Sequence, residues 1–235
     1  SAAVISAGYK AQISFSKAAY RENDKSLLQR DLMTICDMLE KDIRMAGLAL
    51  PGNGIDLTLS DSTSDQLAMF VNKNQLRAKL NSTVSYSDTK ILIEHTGMTG
   101  WGKWVCLEAG TVVFKEIDRV GVSSSSNPDT IYLTAPLNAG PYTVASTNLY
   151  SADRIGYRIK KGTENVLLKR INNKDIGISG LVDSLAIIPK DKSGVPISSG
   201  DSARVISIVI GGHIGRENNT CFLAESTEVN IRNVN

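Results

Sequence analysis

The segment from Leu28 to Gly47 constrains the fold most, because its pattern is that of an amphipathic helix with a defined end. Gly47 can adopt the left-handed conformation that ends helices, and Pro51 cannot continue one, so together they predict the stop. Glu40 and Arg44 form an acid-before-base pair on the solvated face. The apolar residues recur at spacings that place them on one helical face: Leu28, Leu32, Ile35, Leu39, Ile43 and Ala46.

The rest of the chain reads as strands and turns, with apolar alternation interrupted by Ser, Thr, Asn and Gly. Glu108-Ala109-Gly110 and the stretch 160–165 separate paired strand segments, so each predicts a hairpin. Residues 211–215, Gly-Gly-His-Ile-Gly, read as a loop. The predicted strands are 65–71, 90–94, 104–107, 111–117, 130–133, 154–159, 166–170, 204–210 and 227–233.

The end of the predicted helix carries a sequence motif that is more specific than an amphipathic helix requires. Leu39 to Gly47 resembles the signature "leucine, two variable residues, Asp-Ile/Leu-Arg-x-Ala-Gly" that ends the first helix of PilW-type minor type IV pilins. J-type minor pseudopilins of type II secretion carry a similar phrase. The last residues are also similar to the closing strand of that family, and the resemblance spans most of the chain. Its structural signature residues here are Asp42, Ile43, Arg44, Ala46, Gly47, Ile231, Arg232 and Asn233.

This resemblance implies an α+β, pilin-like fold, in which a long N-terminal helix packs on an antiparallel β-sheet beside an additional β-rich subdomain. The implied organisation has three parts. Residues 1–50 form the helix, with a stem part and a part that packs on the head. Residues 51–80 and 151–235 form the core sheet, and residues 81–150 form the inserted β-rich subdomain.

Pilins of this family begin with a basic leader and about twenty apolar residues, which this chain lacks, since it has no apolar run near the ~18 residues that cross a bilayer. We expect that a membrane half is missing, because an apolar stripe continues to the first residues and no N-cap motif opens the helix. The competing explanation is a soluble protein that never had one. The candidate stem interface is Ile5, Tyr9, Ile13 and Tyr20, with Leu27 on the same stripe. The alternative is that these residues pack only on their own head.

Charge and motif content argue against several functional classes. The chain has 26 basic and 24 acidic residues without blocks of one sign, so no nucleic-acid surface is predicted. Its two histidines, His95 and His213, lack an HExxH spacing, and neither a Gly-x-Ser-x-Gly elbow nor a phosphate-binding loop is present. We therefore expect a protein that is not an enzyme and needs no cofactor or metal.

The three cysteines leave one structural question open. Cys36 lies beside the helical stripe and is expected to be a buried free thiol. Cys106 and Cys221 lie in or next to predicted strands, so a disulfide between them is one alternative in an oxidising periplasm. The spacings exclude a CxxC redox pair, a haem attachment motif and a zinc cluster.

Two tryptophans mark the predicted β-rich subdomain. One interpretation of Trp101 and Trp104 is that they form the core of that subdomain. The other is that they form a contact surface for a partner, since variable surface on a rigid scaffold often carries binding specificity. Gly100 and Gly102 indicate a turn, so Trp101 is the one expected to be exposed.

The function implied by the resemblance is that of a minor type IV pilin, a structural subunit that helps to prime pilus assembly and sits at the pilus tip. Its partners would be other minor pilins and the major pilin. It would lie in the inner membrane through a missing N-terminal helix and then on the extracellular pilus. Two alternatives are a minor pseudopilin of a type II secretion system and a surface adhesin or glycan-binding β-protein.

Overall fold

The computed structural model describes residues 2–56, 66–95, 100–123, 127–198, 202–215 and 220–231, with the backbone alone for residues 2–8. Within these ranges there is one α-helix, α1, which runs from Ala2 to Met45. Its 44 residues correspond to about 66 Å at 1.5 Å per residue. The strands are β1 (Ile55–Asp56), β2 (Leu67–Val71), β3 (Arg77–Lys79), β4 (Lys90–Ile93), β5 (Trp104–Glu108), β6 (Val112–Gly121), β7 (Asp129–Leu133), β8 (Asn148–Lys160), β9 (Val166–Ile171), β10 (Lys174–Ser179), β11 (Val182–Lys190), β12 (Val205–Ile214) and β13 (Cys221–Asn230).

The strands form two antiparallel sheets. Ten strands make the larger sheet, in which the path β1-β2-β8-β5-β6-β7-β4 is extended by β3 and β9 pairing with β8 and by β10 pairing with β9. The smaller sheet has the order β11-β12-β13. Strand β8 is central because its thirteen residues pair with β2, β3, β5 and β9 at different positions along its length.

The predicted α+β, pilin-like fold is wrong. The chain is mostly β, with 46% of it in strands and 19% in its one described helix, and the large antiparallel sheet curls into a half-barrel. The physical reason is the length of β8. This strand pairs with β5 from the middle of the chain, with β2 and β3, which precede β5, and with β9, which follows β8, so all of them belong to one sheet. The proposed boundary at residue 150 falls inside this strand, and the three-part domain division stays a prediction.

The main hydrophobic core lies between the C-terminal half of α1 and the sheets. Helix α1 packs on β12 and β13, and all six residues of the predicted helical stripe are at most 2% exposed. They contact apolar residues of both sheets, such as Met69 and Ile155 from the large sheet and Ile206, Ile208 and Val229 from the small one. A second cluster fills the interior formed by β3 to β8.

Most of the strand predictions are confirmed, although β8 and β13 each begin six residues before the predicted start, and other parts of the chain differ. Residues 211–214 continue β12 rather than forming a loop, because Gly212 pairs with Val182 on one side and Leu223 on the other. Strands β1 and β3, of two and three residues, were not predicted, and neither were β10 and β11. Their alternation is weak, since β10 is largely exposed and β11 contains Pro189.

Candidate functional site: the helix and its junction with the sheets

The N-terminal half of α1 lies outside the body of the protein. From residue 9 to residue 27 no side chain is buried, and Leu28 is the first described side chain to enter the core. Large apolar side chains are nevertheless present on this segment. The exposed fractions are 66% for Tyr9, 38% for Ile13, 77% for Phe15, 72% for Tyr20 and 40% for Leu27.

Four of these five side chains share one helical face. With about 100° of rotation per residue, Tyr9, Ile13, Tyr20 and Leu27 fall within an arc of roughly 40°. We call this set the stem face. The buried stripe is centred roughly 100° further round the helix. The stem face is therefore a separate face and not the continuation of the buried stripe that the sequence predicted. The side chain of Ile5 lies outside the described residues.

The stem face therefore does not pack on its own head. Exposed aromatic side chains on one face of a helix are typical of a surface that contacts a partner. The same segment, residues 9–27, carries four basic and two acidic side chains. Phe15 is equally exposed but lies roughly 140° from the stem face, which makes it a natural reference position.

The signature segment joins the helix to the sheets through a buried carboxylate. Asp42 is 4% exposed and accepts a hydrogen bond of 2.5 Å from the Tyr157 hydroxyl of β8. The Lys169 ammonium of β9 forms an ion pair of 2.5 Å with the same carboxylate oxygen, and the Lys169 side chain is 16% exposed. One acidic residue thus connects α1 to two neighbouring strands of the large sheet.

The other signature residues divide between the core and the surface. Ile43 and Ala46 are fully buried, whereas Arg44 lies on the surface and forms an ion pair with Glu40. At the other end of the chain Ile231 is buried, and its N–H donates to the Arg204 carbonyl. Arg232 and Asn233 lie outside the described residues.

The helix ends where three backbone segments approach closely. Gly47 has φ +71°, and its N–H donates to the Phe70 carbonyl of β2, while the Phe70 N–H donates to the Gly54 carbonyl. A Cβ on Gly47 would lie 2.6 Å from the carbonyl carbon of Asn53, and one on Gly54 would lie 2.2 Å from the Gly47 nitrogen. Only glycine fits at these two positions.

Burial raises the pKa of Tyr157, and the hydrogen bond to Asp42 and the Asp42 charge act in the same direction. An unfolded tyrosine loses its proton near pH 10, so above that pH the native state holds a proton that the unfolded state has lost. The raised pKa therefore leaves the free energy of unfolding unchanged below about pH 10. Above that pH it lowers the free energy of unfolding by about 1.4 kcal/mol per pH unit.

We therefore expect Tyr157→Phe to flatten the alkaline loss of stability. The measurement is the free energy of unfolding in urea between pH 8 and pH 11 for wild type and variant. Tyr150, whose pKa burial raises to about 12, contributes equally to both proteins and cancels in the comparison. Parallel pH curves for the two proteins would contradict the assignment.

The cysteines do not pair. All three are free thiols, and Cys106 lies in β5 of the large sheet, whereas Cys221 lies in β13 of the small sheet. The alternative of a Cys106–Cys221 disulfide is therefore not realised in the structure. Cys36 is buried, as expected, and burial raises the pKa of both the Cys36 and the Cys106 thiol.

Trp101, the tryptophan predicted to be the more exposed of the two, is partly exposed, and its role as a contact stays a prediction. It is half-buried against the second hydrophobic cluster, and Trp104 is half-buried against a smaller cluster around Phe70 and Phe114. The Phe70 and Phe114 rings stack with centroids 3.8 Å apart, and the Trp104 ring lies at 66° to the Phe70 ring with the two centroids 5.3 Å apart. Both tryptophans therefore contribute to packing.

One cluster of polar side chains in the small sheet and the loop before β9 was not predicted. His213 in β12 pairs through Nδ1 with Asp183 of β11, and Asn165 donates to the same carboxylate at 3.2 Å. The neighbouring Phe222 is 71% exposed. Within the described ranges no group of three or more His, Cys, Asp or Glu side chains is arranged to hold a metal ion.

Sequence reasoning missed the partners of Asp42, although it identified Asp42 itself. Position 42 lies next to the apolar stripe, so a carboxylate there predicts some compensating partner. Tyr157 and Lys169 are more than a hundred residues away in sequence, and nothing local marks them as that partner.

Comparison of the chain with protein-family models, with curated proteins and with solved structures finds no match. The resemblance to PilW-type minor pilins therefore stays a prediction. In the described part of the chain, no helical stretch is long and apolar enough to cross a bilayer.

Proposed function

We propose that this protein is a structural subunit of a type IV pilus, a minor pilin that helps to prime assembly and sits at the tip. The proposal does not depend on the pilin-like fold, which the structure overturns. It is supported by the resemblance of the sequence motif at residues 39–47 to the PilW-type signature and by the exposed stem face. A helix half that extends from the body and carries aromatic residues on one face is suited to assembly with other subunits.

The partners of this surface would be other minor pilins and the major pilin. An inner-membrane location before assembly, followed by the extracellular pilus, accompanies the same proposal. A minor pseudopilin of a type II secretion system would use the stem face in the same way. The two are distinguished by which filament loses its assembly when the gene is deleted.

The first test concerns the class of protein. The native reading frame is expressed with and without a prepilin peptidase, and the mass of the mature product is measured. Loss of a leader only in the presence of the peptidase supports the pilin class. A product of the same mass in both cells would overturn it.

The second test concerns the stem face. Tyr20→Ser is expected to weaken recovery of the other minor pilins with this protein by about tenfold, since aromatic anchors commonly contribute 1–2 kcal/mol or more to an interface. Phe15→Ser is the matched control, because Phe15 is equally exposed on another face. Both variants should keep the wild-type melting temperature. Equal recovery with the two variants would contradict a role for the stem face.

A further inference from the structure

A surface depression beside Trp101 has the lining of a ligand site. Its volume is about 360 Å³, within the usual range of small-molecule pockets of about 300–1,000 Å³. One wall comes from the segment before β5, with Trp101 and Lys103. The other comes from the second half of β6 and the residue that follows it, with Asp118, Arg119 and Val122.

The backbone on both sides of Trp101 is held in place. The Gly100 carbonyl accepts a hydrogen bond of 2.7 Å from Asn74, and the Gly102 N–H donates to the Ser151 hydroxyl at 2.7 Å. A Cβ on Gly102 would lie 2.3 Å from the Ala152 carbonyl oxygen, so this segment lies directly against β8. The indole wall of the depression is therefore preorganised.

The opposite wall contains an irregularity in the sheet. The register between β6 and β7 shifts between Ile117 and Arg119, so Asp118 is the extra residue of a β-bulge. Beyond it, the Arg119 guanidinium lies over the Tyr132 ring, 4.3 Å from the centroid. Bulges commonly redirect side chains toward functional surfaces, and Asp118 and Arg119 at this bulge both line the depression.

The charges of the depression favour an anion. Lys103 and Arg119 supply two cations against the single carboxylate of Asp118, and within the described ranges the Lys103 ammonium is hydrogen-bonded to one backbone carbonyl, that of Asp118, at 3.4 Å. Among the described residues neither side chain forms an ion pair. A guanidinium with free N–H groups is the preferred protein partner of a carboxylate.

We propose that this depression binds a small acidic sugar, a ring that carries one carboxylate and several hydroxyl groups. The carboxylate pairs with Arg119 and Lys103, and the apolar face of the ring packs on Trp101 and Val122. The Asp118 carboxylate accepts from hydroxyl groups, which a purely apolar acid does not possess. This inference is independent of the pilus proposal, since it concerns a surface remote in sequence from the stem face.

The test uses D-glucuronate as the probe, with D-glucose and acetate as controls for its two halves. Binding is followed by tryptophan fluorescence and by saturation-transfer NMR on the full chain. Glucuronate is expected to bind at least tenfold more tightly than either control. No saturable binding at 20 mM, or equal binding of acetate, would overturn the proposal.

Variants locate the site. Arg119→Gln is expected to weaken glucuronate binding at least fivefold, whereas the matched control Lys79→Gln, at an exposed position of β3, should leave it unchanged. Trp101→Phe should remove the fluorescence response, and Trp104→Phe should retain it. An unchanged affinity in Arg119→Gln, or a response that depends on Trp104 instead, would overturn the proposal. Because Arg119 is exposed, its variant remains informative even if Trp101→Phe impairs folding.

Discussion

Asp42→Asn is expected to lower the free energy of unfolding by about 3 kcal/mol, the low end of the range for breaking a buried ion pair. The substitution keeps the shape of the side chain and an acceptor for the Tyr157 hydroxyl. It removes the charge that compensates the Lys169 ammonium, which remains largely buried. Urea-induced unfolding at pH 7 measures the change.

Glu40→Gln is the matched control for Asp42→Asn, because it makes the same chemical change on the same helix. Glu40 pairs with Arg44 on the surface, and such a pair contributes about 0.3–0.5 kcal/mol. The combined change Asp42→Leu, Lys169→Met and Tyr157→Phe should recover much of the loss, since apolar side chains replace both charges and the hydroxyl that pairs with them. If Asp42→Asn and Glu40→Gln have equal effects, Asp42 is not the structural link between α1 and the large sheet.

Gly47→Ala is expected to destabilise the protein by about 2–4 kcal/mol. A left-handed backbone costs an L-residue about 1–2 kcal/mol. The backbone shift that makes room for the Cβ beside residues 52 and 53 costs about 1–3 kcal/mol more. A smaller gain comes from the reduced entropy of the unfolded chain, about 0.4–1 kcal/mol. The free energy of unfolding in urea is again the measurement.

Gly52→Ala separates the two contributions to the Gly47 effect. Gly52 has φ +77°, close to that of Gly47, but a Cβ there would meet nothing within 4 Å. Its substitution should therefore cost only the conformational part, about 1 kcal/mol. Losses for the two variants that agree within about 0.5 kcal/mol would show that close packing at Gly47 is unimportant.

The site could be predicted only in part from the sequence. The residues of the stem face were named as candidates from the sequence, and their role as an interface stays a prediction. Their separation from the buried stripe follows from helix geometry combined with the observed burial. Both tryptophans are partly buried, and Gly102 lies directly against β8, where a Cβ would be 2.3 Å from the Ala152 carbonyl oxygen. The acidic-sugar depression depends on a bulge at Asp118 that no local pattern marks.

The sequence by itself determined the local features of this protein. The spacing of Leu28 to Ala46 decided which helical face is buried, Gly47 decided where the helix stops, and alternation decided most strands. These signals are local, since they arise from helix and strand periods and from the backbone freedom of single residues.

Only the tertiary structure decided how the elements combine. The pairing of β8 with four other strands turns the expected helix-on-sheet arrangement into a curled, mostly β fold. It also brings Tyr157 and Lys169 to Asp42. Pairing of this kind is between residues far apart in the chain, and its energy depends on packing that no short segment encodes.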